Sequence, residues 1–305
     1  MSVLAATDSW ARLRRLPRPS LRAIHGVTDW IGVACVVLFL LIATVGRLVG
    51  DPYALVTTEP QAPSIHHWFG TDNLGRDVFA RTASGAWTSL LICLGSVLLA
   101  LLIAFPLGIL AGYYHGRRTD GAIMRSLEAV QALPMFIFVM FMLSLLGSKP
   151  VKLGPVELGM EARLVLCIGL GFVPFFARVV RAATMVEVQE DYVAGLWVVG
   201  VRPRNVILGE ISVNVLPPVL VQAFLAMAIA IFAEGGLSFI GLGVAPPKPT
   251  LGNLIGDSGS QIIGGMWWYA TLPGAVMVMG ILGFNLLGDA FNDSVLGTHG
   301  ATGKE

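Results

Sequence analysis

Charged residues are scarce in this sequence. Asp, Glu, Lys and Arg make up 13% of its 305 residues, about half of the roughly 25% found in ordinary soluble domains. Hydrophobic residues make up 55%, and the mean hydropathy is +0.76. A chain of this length with so little charge cannot cover a water-facing surface, which excludes a cytosolic enzyme, a disordered scaffold and a secreted disulfide domain. The composition indicates an integral membrane protein.

Residue types that carry chemistry are also sparse. The three cysteines, Cys35, Cys93 and Cys167, lie inside apolar runs without metal-binding or redox spacing, so we predict that they are small buried hydrophobic residues. There is no Gly-x-x-x-x-Gly-Lys-Ser/Thr loop for a nucleotide phosphate, no His-Glu-x-x-His and no Gly-x-Ser-x-Gly. The net charge of +1 argues against a basic face for a nucleic acid. We expect no catalytic site, no metal or cofactor bound by this chain, and no nucleic-acid partner.

The adjacent pair His66-His67 has two interpretations, a metal site or a histidine pair in a loop at the membrane surface. Neighbouring side chains diverge on a helix or a strand, so the two rings cannot share a ligand there. The pattern favours the loop.

Six apolar stretches approach the roughly 20 helical residues that a hydrocarbon core of about 30 Å requires. Alternation of apolar and polar residues is absent, and backbone groups in lipid need internal partners, so we predict that the spans are helical. The third stretch contains Arg125 and Glu128 in its first turns, which we place near the headgroups. The predicted spans are 30–49, 90–113, 122–146, 164–183, 216–240 and 268–290.

The basic residues predict the orientation. With the N-terminus in the cytoplasm, the inner segments hold thirteen of the 20 Lys and Arg residues, as expected for cytoplasmic loops. Both termini are then cytoplasmic. A cleaved signal peptide is the alternative for the first stretch, but its long preceding tail and long apolar run favour an uncleaved span. The predicted organisation is a tail at 1–29, a first transmembrane helix at 30–49, an extracytoplasmic segment at 50–86, a five-helix core at 87–293 with a cytoplasmic loop at 184–215, and a tail at 294–305.

The loop at 184–215 is the most informative segment. Tyr192, Leu196 and Val199 are spaced as one apolar stripe of a short helix. Gly200 suits the left-handed residue that ends a helix, and Pro203 suits the first turn of a new one. The pattern predicts helix–turn–helix in the cytoplasm.

Apolar side chains of this loop, among them Trp197, are left over after such folding. They could pack on the protein's own inner loops, or they could form a docking surface for another subunit. The pattern alone leaves both interpretations open.

Several motifs resemble those of inner-membrane permeases of binding-protein-dependent ABC importers, and among these the C-type permease of dipeptide and oligopeptide importers. In that family a Glu-Ala-Ala motif, a later Gly and a Leu-Pro pair mark the cytoplasmic loop that couples the permease to its ATPase. The matching segments here are 67–78, 190–193, Gly200, 216–218, 234–243 and 284–289.

The resemblance implies an all-α, type I ABC importer permease fold with about six transmembrane helices in the bacterial inner membrane. It implies a homologous permease, two cytoplasmic ATPase subunits that bind ATP and Mg, an extracytoplasmic binding protein and a peptide substrate as partners. It also implies that the loop residues matching the coupling motif dock the ATPase. These are Glu190, Asp191, Tyr192, Ala194, Gly195, Leu196, Gly200, Arg202 and Pro203.

The chain departs from the family pattern at two points. The Glu-Ala-Ala triplet is Ala194-Gly195-Leu196, without its acidic residue, and Glu210 replaces a frequent basic or His residue. These departures affect individual polar contacts to the ATPase. A docking helix is still expected.

Glu234 follows an unbroken apolar run in the fifth predicted span. A carboxylate deep in a bilayer costs about 2.5–3.5 kcal/mol on insertion scales, so it should face protein or a water-filled path. It could line the peptide route, or it could support the backbone at Gly235-Gly236, where we expect the helix to break.

The sequence leaves two alternatives to a peptide importer. An ABC permease for nickel or another small solute belongs to the same class. An ion-coupled secondary transporter would need ionisable groups near the midplane, where the sequence offers only Glu234, off centre.

Overall fold

The computed structural model describes residues 26–147, 151–153 and 156–301. Most of the predicted N-terminal tail and the last four residues of the predicted C-terminal tail lie outside this part of the chain. The described residues are nearly all helical, as predicted, with one short antiparallel hairpin of β1 (Val151–Leu153) and β2 (Val156–Leu158).

The helices are α1 (Val27–Thr44), α2 (Val78–Tyr113), α3 (Arg118–Gln131), α4 (Met135–Leu146), α5 (Met160–Glu187), α6 (Asp191–Val198), α7 (Ser212–Phe239), α8 (Leu251–Asp257), α9 (Gly259–Ile263) and α10 (Trp268–Ala301). One helical turn (Pro203–Asn205) and a π-helical turn (Val206–Ile211) lead directly into α7. The backbone of α10 thus continues past the predicted span end at 290 and into the predicted tail.

Within the described residues, α1, α2, α5, α7 with its leading turns, and α10 are long and apolar enough to cross a membrane. Each overlaps one of the predicted spans, so five of the six predicted spans lie on helices of this kind. The helix α2 begins at Val78, inside the segment 50–86 that was predicted to be extracytoplasmic. The Asp77 side chain caps the helix by accepting a hydrogen bond from the Ala80 backbone, 2.9 Å. Hydropathy missed the first turns because their polar residues are buried against protein.

The third predicted span, 122–146, is not one straight helix. It is divided into α3 and α4, which meet at 85°. Pro134 lacks a backbone N–H and restricts the residue before it, so the break falls at Leu133-Pro134. Arg125 and Glu128 lie on the exposed face of α3. The twelve residues of α4 reach only about 18 Å, less than a hydrocarbon core of about 30 Å.

The helices α2 and α5 run parallel and in close contact. A Cβ atom at Gly95 would lie 3.2 Å from Val165, and one at Gly112 would lie 2.6 Å from Thr184. The contacts advance along both helices in the same direction, so their C-terminal ends lie at the same end of the bundle. We call this end, where α6 follows α5 and α7 begins, the α6 end.

The remaining long helices alternate in direction. The helices α10 and α7 are antiparallel, since Met277 of α10 lies near Gly235 of α7 and Gly288, later in α10, lies near Leu225, earlier in α7. The N-terminal part of α1 packs on the C-terminal part of α10, where Gly32 meets Leu286. The start of α1 and the last turns of α10 that contact it therefore lie at the α6 end, and the segment 50–77 lies at the opposite end.

A buried ion pair orders the segment 50–77. The Asp72 carboxylate is fully buried and accepts a hydrogen bond from Arg76 Nε at 2.7 Å, with Arg81 Nε at 3.6 Å. His67 Nδ1 lies 2.9 Å from Asp77, and no group of three His, Cys, Asp or Glu residues suited to a metal occurs among the described residues.

We predict that the α2–α5 contact controls stability. Gly112→Ala places a methyl group 2.6 Å from Thr184 Cβ and 2.7 Å from the Arg181 carbonyl oxygen, and overpacking of this kind costs about 1–3 kcal/mol. Gly121→Ala on α3 is the control, because its added Cβ meets nothing within 4 Å and alanine favours a helix by up to about 1 kcal/mol. Thermal unfolding in detergent should show a lower midpoint only for Gly112→Ala. Equal midpoints for the two variants would contradict the packing.

Candidate functional site

The helix α6 ends as the sequence predicts. The Val201 N–H donates to the Leu196 carbonyl and the Gly200 N–H to the Trp197 carbonyl, both at 3.0 Å. Gly200 has φ +82°, the left-handed conformation that completes this helix stop with little strain only for glycine. Pro203 is the first residue of the next helical turn. The chain therefore reverses sharply between α6 and α7.

The buried face of α6 differs from the predicted stripe. Val193 is fully buried, and Tyr192 and Leu196 pack partly against the main core. Val199, the predicted third member, is 76% exposed. The helix ends at Val198, so a spacing of 3.6 residues no longer fixes the direction of Val199.

The opposite face of α6 is exposed and apolar. Val198 is 89% exposed, Trp197 is largely exposed, and Ala194 and Gly195 are exposed beside them. No atom lies within 4 Å of a Cβ built at Gly195. We call Ala194, Gly195, Trp197, Val198 and Val199 the α6 surface. One face of α6 thus packs inward, and the other is exposed with respect to the residues that the structure describes.

Three polar side chains hold α6 against its neighbours. The Tyr192 hydroxyl donates to Glu187 Oε1 at the end of α5. Asn214 Nδ2, in the first turn of α7, donates to the same Glu187 oxygen at 2.7 Å and approaches the Tyr192 hydroxyl at 3.0 Å. Burial and the hydrogen bond to Glu187 raise the pKa of Tyr192 well above its usual value, so its hydroxyl stays protonated and remains a donor. This contact joins α5, α6 and α7.

The remaining predicted loop residues flank the α6 surface. Glu190 is the N-cap residue of α6 and Asp191 lies in its first turn, where negative charge favours the helix dipole. Arg202 and Pro203 follow the reversal. All four are exposed.

An ion pair behind this loop was not predicted from the sequence. Arg181 on α5 donates from Nε to Asp120 Oδ1 at 2.7 Å and from Nη2 to Oδ2 at 2.8 Å. Asp120, near the start of α3, is 5% exposed and also accepts from the Gly116 backbone at 3.1 Å. His115 Nδ1 lies 3.0 Å from the same carboxylate. The sequence carried one indication of such a contact, the spacing of Arg178 and Arg181 on one helix face.

Glu234 is fully buried in α7, far from the α6 surface along that helix. Ser238 Oγ donates to Glu234 Oε1 at 2.7 Å, and the buried hydroxyls of Ser89 on α2 and Thr250 before α8 face the same carboxyl. The break expected at Gly235-Gly236 was wrong, because α7 continues to Phe239. Gly252 of α8 instead packs directly on the α7 backbone there, since a Cβ atom at Gly252 would lie 2.1 Å from the Gly235 carbonyl oxygen.

These features define the class of the protein: a membrane subunit whose bundle presents a short, exposed helix at one end. The chain belongs to the family of binding-protein-dependent transport system inner membrane components, whose model matches residues 104–296.

Similar proteins agree with this family. The chain is 33% identical over 270 residues to the dipeptide transport system permease protein DppC of Alkalihalophilus pseudofirmus, covering 87% of this chain and 84% of that protein. It is 32% identical to the protein of the same name from Bacillus subtilis, covering 94% of this chain and 84% of that one. The MetNI methionine ABC transporter, in an inward-facing conformation, matches with a TM-score of 0.53 at 17% identity, over 67% of this chain and 91% of that chain.

These findings confirm the predicted family and the type I permease fold. The chain is a multi-pass inner-membrane permease subunit of an ABC importer, a class that works with an ATPase and a substrate-binding protein. They favour the importer over the ion-coupled carrier weighed above.

We predict that the conformation of Gly200 is required for coupling. A Cβ at Gly200 would meet no neighbour within 4 Å, so Gly200→Val acts through backbone strain alone, about 1–3 kcal/mol. This variant should assemble but lose substrate-stimulated ATP hydrolysis and uptake, with Gly200→Ala intermediate. Gly200→Asn is the control, because Asn tolerates positive φ. The measurements are basal hydrolysis, stimulated hydrolysis and uptake on one reconstituted sample, and unchanged stimulation in Gly200→Val would exclude α6 as the coupling element.

Proposed function

We propose that this chain forms, with a homologous permease, the translocation path of an importer for di- or oligopeptides. Two ATPase subunits, which bind ATP and Mg, dock at the α6 end, and a binding protein delivers peptide at the opposite end. The chain itself contributes no catalysis. The observation that carries this proposal is the α6 surface, which is exposed, apolar and held rigidly to α5 and α7.

The α6 end is assigned to the cytoplasm on the basis of charge. Basic residues in the segments at this end favour the cytoplasmic side of a membrane. By sequence, thirteen of the 20 Lys and Arg residues fall in the segments that this assignment places in the cytoplasm, against seven in the other segments. With the start of α1 at the same end, both termini are then cytoplasmic.

The mechanism is alternating access. When ATP closes the two ATPases, the α6 surface moves with them. Because Glu187 and Asn214 bind Tyr192, movement of α6 is passed to α5 and α7 rather than absorbed in the loop. The bundle then changes the side on which the path is open.

Peptides are proposed as the substrate because the relatives that cover most of this chain are named as dipeptide or di/tripeptide permeases. The test is uptake by proteoliposomes that contain this chain, the second permease, both ATPases and the binding protein. A labelled dipeptide should enter only with ATP, and Ni²⁺ should not compete. Uptake driven by an ion gradient without ATP would contradict the importer, and full competition by Ni²⁺ would contradict the peptide.

We predict that ATPase docking depends on Val198. Val198→Asp puts a charge at the centre of the proposed contact, and a central interface residue contributes about 2 kcal/mol or more, roughly 30-fold in affinity. Ile263→Asp is the control, since Ile263 is 91% exposed at the opposite end. Co-purification and titration of the ATPases in detergent measure the effect. Equal ATPase affinity in the two variants would show that docking occurs elsewhere.

We also propose that Glu234 is structural and joins α7 to Ser89 of α2 and to the start of α8, because its carboxyl is fully buried among hydroxyl groups. Glu234→Ala leaves the buried Ser238 hydroxyl without its acceptor, at about 1–3 kcal/mol, and should lower the yield of assembled complex. Glu234→Gln keeps an acceptor and should restore the yield. Transport per assembled complex should stay unchanged in both. A loss of transport per complex at normal yield would instead favour a place in the peptide route.

A further inference from the structure

Movement of α6 reaches α5 first. The two helices are separated by only three residues, and Glu187 at the end of α5 binds Tyr192 in the first turn of α6. Any residue that joins α5 firmly to another helix near this end is therefore placed to pass the movement on.

Arg181 makes such a contact with the start of α3. Its two hydrogen bonds to Asp120, 2.7 and 2.8 Å, form a bidentate, charge-assisted pair, the strongest and most directional kind of side-chain contact. The buried carboxylate is fixed further by the Gly116 backbone and by His115. This end of α3 cannot move relative to α5 without breaking the pair.

Arg178, one helical turn earlier on α5, binds the other end of α3. Its Nη2 donates to Oε1 of Gln131, the last residue of that helix. Asp120 and Gln131 are eleven residues apart, about 16 Å along a helix. The two arginine side chains therefore hold both ends of α3, and α3 should move with α5 as one body.

The end of α3 is also the wall of a cavity. A cavity of about 350 Å³ lies at the break between α3 and α4, and it is lined on one side by Gln131, Leu133 and Pro134 and on the other by Phe172 and Phe175 of α5 and Ile229 of α7. The backbone changes direction by 85° at this break. A displacement of α3 thus changes the angle of α4 and the shape of the cavity.

We propose that Arg178 and Arg181 are positioning residues for transport, which transmit the movement of the coupling helix through α3 to the α3–α4 break and so open and close the cavity there. The arginines contact α3 and not the substrate. This inference rests on the proposed role of the α6 surface as the ATPase docking site.

The test uses the complete reconstituted complex with Arg181→Gln. The control is Arg125→Gln, which removes the same charge from the exposed face of α3. Coupling between two sites is typically worth about 5- to 150-fold, so Arg181→Gln should lower the stimulation of ATP hydrolysis by binding protein and peptide at least about fivefold. ATPase co-purification should be retained, and the control should keep its stimulation.

A second measurement distinguishes the transmission of movement through α3 from an effect on the stability of the complex. A single cysteine at the exposed Leu133, with the three native cysteines replaced, should react with a maleimide at different rates with and without a non-hydrolysable ATP analogue. Arg181→Gln should abolish this difference. A purely structural role would lower the yield of complex and leave the ATP-dependent difference intact in the molecules that assemble, which would overturn the proposal.

Gln131→Ala provides a variant that should fold, since Gln131 is exposed; it removes the contact with Arg178 and shortens one side chain of the cavity wall. It should reduce the ATP-dependent difference in labelling rate at position 133, and an unchanged difference would exclude a role for the Arg178 contact.

Val198→Asp distinguishes a failure of the proposed docking site from a failure of the proposed transmission through α3. If Val198→Asp leaves ATPase binding intact, the proposed docking site is wrong; if it abolishes binding while Arg181→Gln keeps full stimulation, only the transmission through α3 is wrong.

Discussion

The close, parallel packing of α2 on α5 is the constraint on which the other elements depend. Small residues on α2 let the two backbones approach closely, in the way that glycine and alanine support helix association in lipid. Because the pair is parallel, the chain must return from one end to the other between them, and α3 and α4 make that return. The same pairing places Asp120 beside Arg181. Asp120 follows the C-terminal end of α2 in the chain, and Arg181 lies near the C-terminal end of α5.

Two polar contacts lie at opposite ends of this apolar bundle. The pair of Asp72 and Arg76 orders the segment 50–77, and the contact of Glu187, Tyr192 and Asn214 orders α6. Both consist of a carboxylate that accepts several hydrogen bonds, which satisfies a charge that burial would otherwise penalise. The apolar helices supply the stability of the bundle, and these end contacts fix the directions in which its functional parts point.

Features set by local chemistry could be predicted from the sequence. Hydropathy located five spans, and the spacing of Gly200 and Pro203 located the reversal after α6. The start of α2 at Val78 could not be found this way, because its first turns are polar yet buried, and a hydropathy window treats polar residues as exposed. The bend at Leu133-Pro134 could not be predicted either, because its signal is a proline and prolines occur in bent and in continuous helices alike. Other prolines, such as Pro106 and Pro174, lie inside continuous helices, so a proline alone does not determine whether a helix breaks. The partners of Asp120 and Glu234 depend on tertiary packing across many residues of sequence.

The exposed α6 surface has a consequence for how the subunit is assembled in the cell. In the chain by itself, Val198 and Val199 present adjoining apolar side chains to water, a kind of patch that promotes association with unintended partners. Their exposure cannot be relieved by folding further, because Tyr192 and the stop at Gly200 already fix the helix in place. If the proposed docking site is correct, a subunit without its ATPase keeps this apolar patch exposed, and synthesis of permease and ATPase in matched amounts would limit unintended association.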